Sequence, residues 1–488
     1  MGFKLIYLLT ICFLLICQTG MAQKISVISS SEDGERLWSK NDIFFSESSA
    51  PRRSMMLEPD TNEILIHPEW KFQRIEGFGA SFLEAGMICA NTLDQRAKDQ
   101  LFTSLFDSVN GSGFSIMKTV IGGNDFMAAS DWFTYDDIPL DKEMKHFSIE
   151  RDLRPNGLIP YIREAKKHGR FLLQASMDYP PDWMLTDTVR SIQDVNPKYF
   201  PALAKYYLRY LEEYKKQSLT INYISLFNEP GIYTKIPYLK IADLIANHVG
   251  PLFLENKIDT KILMCESNTR INGWYFYPQV LQNPNAAKYI GGLAFHGYDY
   301  GRNFDKIAEL HQNYPNLPIL MTEVCHAYVC GTKRTFPLPN YGFSDGDFWG
   351  NQIISDLESG ISSWIYWNMI LDENGGPWLV SEVHGNPEAN IQHPVVVVNR
   401  TDKKVHYTGL YYYLSHFSKY VRPGYIRIGI YEQIEGVRAV AFSGPDNNVV
   451  LQIVNSSNKR QEIKLREGDR HSKVWIASGS ITTLLWKD

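Results

Sequence analysis

The chain has 488 residues, 44% hydrophobic and 21% charged, so it carries ample apolar material for a large core and lacks the composition of a disordered protein. Its net charge of −5, with no basic run, argues against nucleic acid as a partner. The length exceeds one small domain and fits several domains, or one barrel with an attachment.

At the N-terminus Lys4 precedes an apolar run over residues 5–17, followed by Gly20-Met21-Ala22. These are the three regions of a secretory leader cleaved after Ala22, so residues 1–22 are read as a signal peptide and the protein as secreted, or held in a bacterial periplasm or envelope. A lipid anchor on Cys17 is the weaker reading, because Ile16 stands where a small residue is wanted. The apolar run is too short for a retained membrane span. Beyond the leader lie Cys89, Cys265, Cys325 and Cys330, whose spacings match no zinc pattern; a Cys325–Cys330 pairing stays open.

Residues 23–70 alternate apolar and polar in KISVISSS, DIFFSES and NEILIHPEW, the pattern of short antiparallel strands. From 71 to 421 the pattern becomes strand then helix. Strands are predicted at 74–81, 115–121, 170–176, 221–227, 260–266, 290–296, 318–323 and 361–368. Amphipathic helices are predicted at 92–106, 158–167, 197–214, 236–249, 304–313, 345–358 and 409–420. Eight such units predict an α/β chain folded as a (β/α)8 TIM barrel. A doubly wound sheet is the alternative, but the glycine-rich phosphate loop that often marks it is missing. Residues 422–488 return to strands: YIRIGIYE, GVRAVAFS, NVVLQIVNSS, QEIKLREG, SKVWIAS and ITTLLWK. With the N-terminal strands they predict a small β-sandwich side domain. It either stabilises the barrel or binds carbohydrate, and the absence of an evident aromatic platform favours the first.

Barrel chemistry concentrates at the C-terminal ends of the strands. The fourth predicted strand ends in Asn228-Glu229, and the seventh in Thr322-Glu323. Glu229 could also cap a following helix; the rest of the rim decides between the two readings. The sixth strand ends in His296-Gly297-Tyr298, and the eighth carries Trp364, Trp367 and Asn368. Asn124, Asp125 and Phe126 follow the second strand, and Asp178, Tyr179 and Trp183 the third. Two carboxylates on opposite strands, ringed by aromatics and hydrogen-bonding groups, suit cleavage of a glycosidic bond. That reaction needs a proton for the leaving oxygen and a carboxylate for the oxocarbenium-like carbon. A metal role for His296 is opposed by the lack of a second ligand at helical or strand spacing.

The segments GFGASFLEA, GGNDF, PPDWM, FSIERD, SLFNEP, LAFHGYDY, MTEVCHAY, WIYWNMILDENGGP and YYYLSHFSKYVRPG, in this order, resemble glycoside hydrolase family thirty across nearly all of the mature chain. That family includes glucosylceramidases, β-glucosidases and β-1,6-glucanases. The resemblance implies a retaining β-glycosidase, acting on a β-glucoside or β-glucan without metal or organic cofactor. Glu229 would be the general acid/base and Glu323 the nucleophile. Asn228 would serve the sugar 2-hydroxyl, Asp125, Trp183 and Trp367 the other hydroxyls, and His296 would position the site. Tyr298 would donate a hydrogen bond to Glu323, and burial near Phe227 should raise the pKa of Glu229.

One position departs from the family. Lys118 stands where the family carries arginine on the second strand, which keeps the charge but changes the hydrogen-bond geometry. The loop over residues 378–392 also diverges, and no role is carried onto it. The rival readings are an endo-β-1,6-glucanase, β-xylosidase or β-fucosidase on the same scaffold, a non-catalytic glycan-binding protein, and an inverting hydrolase.

Overall fold

The computed structural model describes residues 23–32, 38–47, 60–128, 133–186, 194–231, 236–326, 342–378 and 391–487. The predicted leader with Cys17, and Cys330, lie outside the described residues. Cys89, Cys265 and Cys325 are free, buried thiols.

Eight parallel strands close into a barrel: β1 (Gly77–Phe82), β2 (Ile116–Val120), β3 (Leu172–Ser176), β4 (Tyr223–Ser225), β5 (Lys261–Ser267), β6 (Ile290–His296), β7 (Ile319–Glu323) and β8 (Ser363–Asn368). Each pairs with its neighbours in sequence, and β8 closes on β1 through Ser363 and Gly77. All eight are strands predicted from the sequence. The approach of β1 to β2 requires glycine, since a Cβ on Gly79 would lie 1.9 Å from the Ile116 carbonyl oxygen.

Side chains alternate along a strand, so successive inward positions stack into layers. Ile116, Tyr223, Leu263, Ala294, Leu320 and Ile365 form an apolar cluster inside the barrel. Two residues further along β2, β3 and β6 the same face turns polar, with Lys118, Gln174 and His296. The barrel thus has a hydrophobic floor and a polar upper layer.

Most of the remaining strands build a second body. Ten form one sheet, in the order Ser39–Phe44, Lys24–Ser31, Ser480–Lys487, Asn448–Asn455, Val437–Ser443, Ile426–Glu432, Glu63–Arg74, Gln461–Glu467, Arg470–Ile476, Ser46–Glu47. It folds over a core of its own containing Ile25, Val27, Ile64, Leu451, Leu465 and Trp486. N-terminal strands are therefore hydrogen-bonded among C-terminal ones. The strand Glu63–Arg74 runs past the predicted boundary at Trp70, because Arg74 still pairs with Ile426. This strand also carries an aromatic surface that the sequence did not reveal. Trp70 is 48% and Phe72 46% exposed; the Trp70 ring stacks on His67, and the Arg427 guanidinium covers Phe72.

Among the elements that were not predicted, two stand out. A small sheet of Ile370–Asp372, Val396–Val398 and Val405–Tyr407 follows β8. The helix Arg270–Leu281 follows β5, with Gly273 and Pro278 inside it and no single apolar stripe. The helix buries Tyr277 and Val280 in the core and carries an ionic anchor: fully buried Arg270 donates to both oxygens of buried Asp356 at 2.7 and 2.9 Å, and also pairs with Asp299. Removing the cation strands a buried carboxylate, so Arg270→Met is expected to cost about 3–5 kcal/mol of stability. A urea unfolding curve checks this, and a loss below about 1 kcal/mol, the range of exposed pairs, would contradict it.

Candidate active site

The upper layer of the barrel brings Lys118, Asn228, Glu229, His296, Tyr298 and Glu323 together. Lys118, on β2, is fully buried and donates from Nζ to Glu323 Oε2 at 2.8 Å, Glu266 Oε2 at 3.1 Å and Asn228 Oδ1 at 3.2 Å. The Tyr298 hydroxyl donates to Glu323 Oε1 at 2.8 Å, so both oxygens of Glu323 are held. His296 Nδ1 lies 2.6 Å from Glu229 Oε1 and 3.6 Å from Glu323 Oε1. Asn268 Nδ2 donates to the same Glu229 oxygen at 3.2 Å. One oxygen of Glu229 and one of Glu323 lie within 4.8 Å of each other.

Local backbone explains how these groups converge. A bulge between Phe295 and His296 shifts the β6–β7 register, so that His296 stands opposite Glu323. On the other side, Asn228 donates its amide to Met177 O and Glu229 to Glu266 O, extending β4 between its neighbours. Glu229 takes φ 44°, the left-handed region that a non-glycine residue enters at a cost and that concentrates at functional sites. The helix-cap alternative therefore fails: Glu229 is 2% exposed, at a strand end, and bonded to a histidine.

The electrostatics divide the carboxyl groups. Burial above all pushes the Glu229 pKa up, the charge of Glu323 adds to this, and His296 and Asn268 oppose it. Oε1 accepts from Asn268 and faces His296, whereas Oε2 is buried with no hydrogen-bond partner among the described residues. A proton on Glu229 therefore belongs on Oε2. Burial would also raise Glu266, but the Lys118 charge and then His296 outweigh it and hold its carboxyl at about 2. For His296 burial works downward, yet the charge of Glu323, the bond to Glu229 and the nearby Glu266 carboxylate raise it to about 9. Lys118 is raised in the same way, since Glu266 and Glu323 overcome the effect of burial. The cluster thus consists of a permanent cation, a protonated imidazole and ionised Glu266, beside a Glu229 biased toward its neutral form.

The other predicted residues line the same mouth with different contacts. Trp367 is buried, and its ring centroid lies 5.1 Å from Lys118 Nζ. Asp125 is partly exposed; burial, then the charges of Glu323 and Glu229, lifts its pKa to about 7. Trp183 is half-buried, but its indole N–H donates to the Asp136 carbonyl at 2.9 Å, so it offers a ring face and no hydrogen bond. Trp364 points away from the mouth, donating to Asp356.

Several members were missed. Glu266 is the most central: it accepts from Lys118 and from Gln174 Nε2 (3.0 Å), and lies 3.8 Å from His296. The signal was present, because the predicted fifth strand ended on this carboxylate. Asn268 lies two residues beyond it. Buried Asp178 was named on the rim without a role; its pKa is raised well above the usual range by burial and then by Asp125. Trp378, in the divergent loop, donates to the Asp125 carbonyl at 3.1 Å.

The chain matches the glycosyl hydrolase family 30 TIM-barrel domain over residues 75–421 and the family's β-sandwich domain over residues 425–484. It is 27% identical to the lysosomal acid glucosylceramidase of Mus musculus over 451 residues, 87% of this chain and 83% of the relative. It is 25% identical to the endo-1,6-β-D-glucanase of Neurospora crassa over 430 residues, 84% of each. A solved endo-β1,6-glucanase superposes with a TM-score of 0.80 at 21% identity, over 95% of this chain and 100% of that one. With the barrel match alone spanning well over half of the sequence, this chain belongs to glycosyl hydrolase family 30 and is a glycoside hydrolase.

Proposed function

We propose that the protein hydrolyses β-glucosidic bonds with retention of anomeric configuration, through a covalent glycosyl-enzyme on Glu323. The observation that carries this reading is the closeness of the two glutamates. Their nearest oxygens lie within 4.8 Å; retaining enzymes hold their carboxyl groups about 5–5.5 Å apart, whereas inverting ones need about 6.5–9.5 Å to admit a water. Glu323, braced by Lys118 and Tyr298, attacks the anomeric carbon as Glu229 gives the proton on Oε2 to the leaving oxygen. Forming the ester removes the Glu323 charge that had helped to keep Glu229 protonated. Glu229 can then take a proton from water, which attacks the ester and regenerates the site. Asn228, fixed by Lys118 at its Oδ1, keeps its amide hydrogens for the sugar 2-hydroxyl. The Trp183 and Trp367 rings and the Asp125 carboxyl serve the remaining sugar face. Every step runs on the chain's own acids and bases, with no cofactor.

The glucosylceramidase relative supports a β-glucoside as substrate. The Neurospora relative, named for β-1,6-glucan, supports gentio-oligosaccharides as a second substrate class, with chain-internal cleavage. Export rests on the leader pattern of Lys4, the apolar run and Gly20-Met21-Ala22.

Two measurements test this reading. Proton NMR of an aryl β-glucoside digest should show the β-anomer of glucose first, followed by slow mutarotation; the α-anomer first would exclude retention. Glu229→Ala should lose about 10²–10⁴-fold in rate on poor leaving groups, and azide, which attacks the glycosyl-enzyme in the second step, should speed its turnover of an activated aryl glucoside. The raised pKa fixes the sign of the pH effect. Wild-type kcat/KM should fall as pH rises through the titration of Glu229, and Glu229→Gln, tested on an activated aryl glucoside, should lose that alkaline limb. An unchanged limb in the variant would remove Glu229 from the role.

A further inference from the structure

Beyond the C-terminal ends of β7 and β8, His326, Asp345 and His393 converge from three separate segments. One ligand-type atom of each lies within 4.8 Å of the other two. His326 Nδ1 and Asp345 Oδ1 are 3.0 Å apart. The two imidazoles stand perpendicular, at 86°, with centroids 5.4 Å apart. Both histidines are buried, and Asp345 lies in the first turn of the helix Phe343–Glu358. The His393 amide donates to the His326 carbonyl at 3.1 Å, so the backbone already fixes the spacing of the two rings. Trp349 and Phe348 wall the His326 ring, with centroids 4.6 and 5.1 Å away.

Two imidazoles and one carboxylate make the donor set that zinc and its neighbours take, whereas calcium and magnesium want oxygen alone. Zinc–nitrogen bonds of about 2.0–2.1 Å place tetrahedral ligands roughly 3.3 Å apart, close to the His326–Asp345 separation. That ion pair joins His326 and Asp345, and a second imidazole stands edge-on to the His326 ring at the same point. The apolar wall would exclude water from such an ion, as the outer shell of metal sites does.

We propose that His326, Asp345 and His393 bind one divalent ion of the zinc class and leave a fourth position open. The ion clips the segment after β7 to the segment after β8 and to the helix Phe343–Glu358. His326 follows Glu323 by three residues, so the clip steadies the stretch of chain that carries Glu323. This site is distinct from Glu229, His296 and Glu323, which also lie within 4.8 Å of one another. There the Lys118 ammonium, 2.8 Å from Glu323, already supplies the cation and would repel another. The third such cluster among the described residues, Asp99, Glu164 and His168, is partly exposed and has a single imidazole. The proposal stands independently of the glycosidase reading.

The test is a titration of chelator-treated full-length protein with Co²⁺, followed by displacement with Zn²⁺. Wild type should take up one equivalent and show the ligand-field absorption of a low-coordinate cobalt site with nitrogen donors. His393→Gln and Asp345→Asn, both close in shape to the native residues, should weaken binding roughly a hundredfold or more; changes in a metal's outer shell alone cost about 10–100-fold. Zn²⁺ should raise the melting temperature of wild type and leave that of His393→Gln unmoved. Absence of a stoichiometric ion would overturn the proposal, as would equal uptake by both variants. Uptake that blocks glycoside hydrolysis and persists in His393→Gln would place the ion between the two glutamates and overturn it as well.

Discussion

The site depends on one ammonium group with no access to water. Lys118 is fully buried and gives its three N–H donors to Glu323, Glu266 and Asn228. A buried charge survives only when it is paired and hydrogen-bonded, so this lysine dictates the state of its neighbours. It holds Glu266 ionised, fixes the position of one Glu323 oxygen and turns the Asn228 carbonyl inward. Two carboxylates around one ammonium would still leave excess negative charge, and His296, lifted to about 9, supplies the second cation. Burial, against the opposing charge of His296, favours a proton on Glu229, the one glutamate of the cluster whose contacts do not include Lys118.

Geometry and electrostatics reinforce each other through the backbone. The bulge that turns His296 toward Glu323 also brings its Nδ1 to Glu229, so a single irregularity in β6 sets one imidazole against both glutamates. The left-handed turn at Glu229 has a cost that the amide bonds of Asn228 and Glu229 to the adjacent strand ends offset. Placing these residues on strand ends of a closed barrel, above an apolar floor, leaves them little freedom to relax when substrate enters. Groups held in advance need no reorganisation as charge develops in the transition state.

Much of this architecture was legible in the sequence, for a physical reason. Parallel barrel strands are short apolar runs ending in turn residues, and all eight predicted runs are barrel strands in the structure. Glu229 and Glu323 were visible because each ends such a run with a carboxylate. Glu266 ends one too, but a third acid has no place in a two-carboxylate scheme, and its importance lies in contacts with Lys118 and His296 that sequence spacing cannot show. Trp183 shows the converse, for a residue in the expected place has its N–H already committed to a backbone carbonyl. The helix Arg270–Leu281 escaped because its buried apolar residues form no single stripe and part of its anchoring is a buried ion pair. The exposed Trp70 and Phe72 were hidden by a strand whose burial changes along its length, from buried over residues 63–66 to exposed over residues 69–72.

The central claim is that Glu323 carries the sugar between two chemical steps. Incubation with an activated 2-deoxy-2-fluoro-β-glucoside, followed by proteolysis and mass spectrometry, tests it directly. The account predicts time-dependent inactivation with one fluoroglucosyl group on the peptide containing Met321-Thr322-Glu323. A label on a peptide bearing Asp125 or Glu266 instead, or continued turnover with no label anywhere, would contradict it.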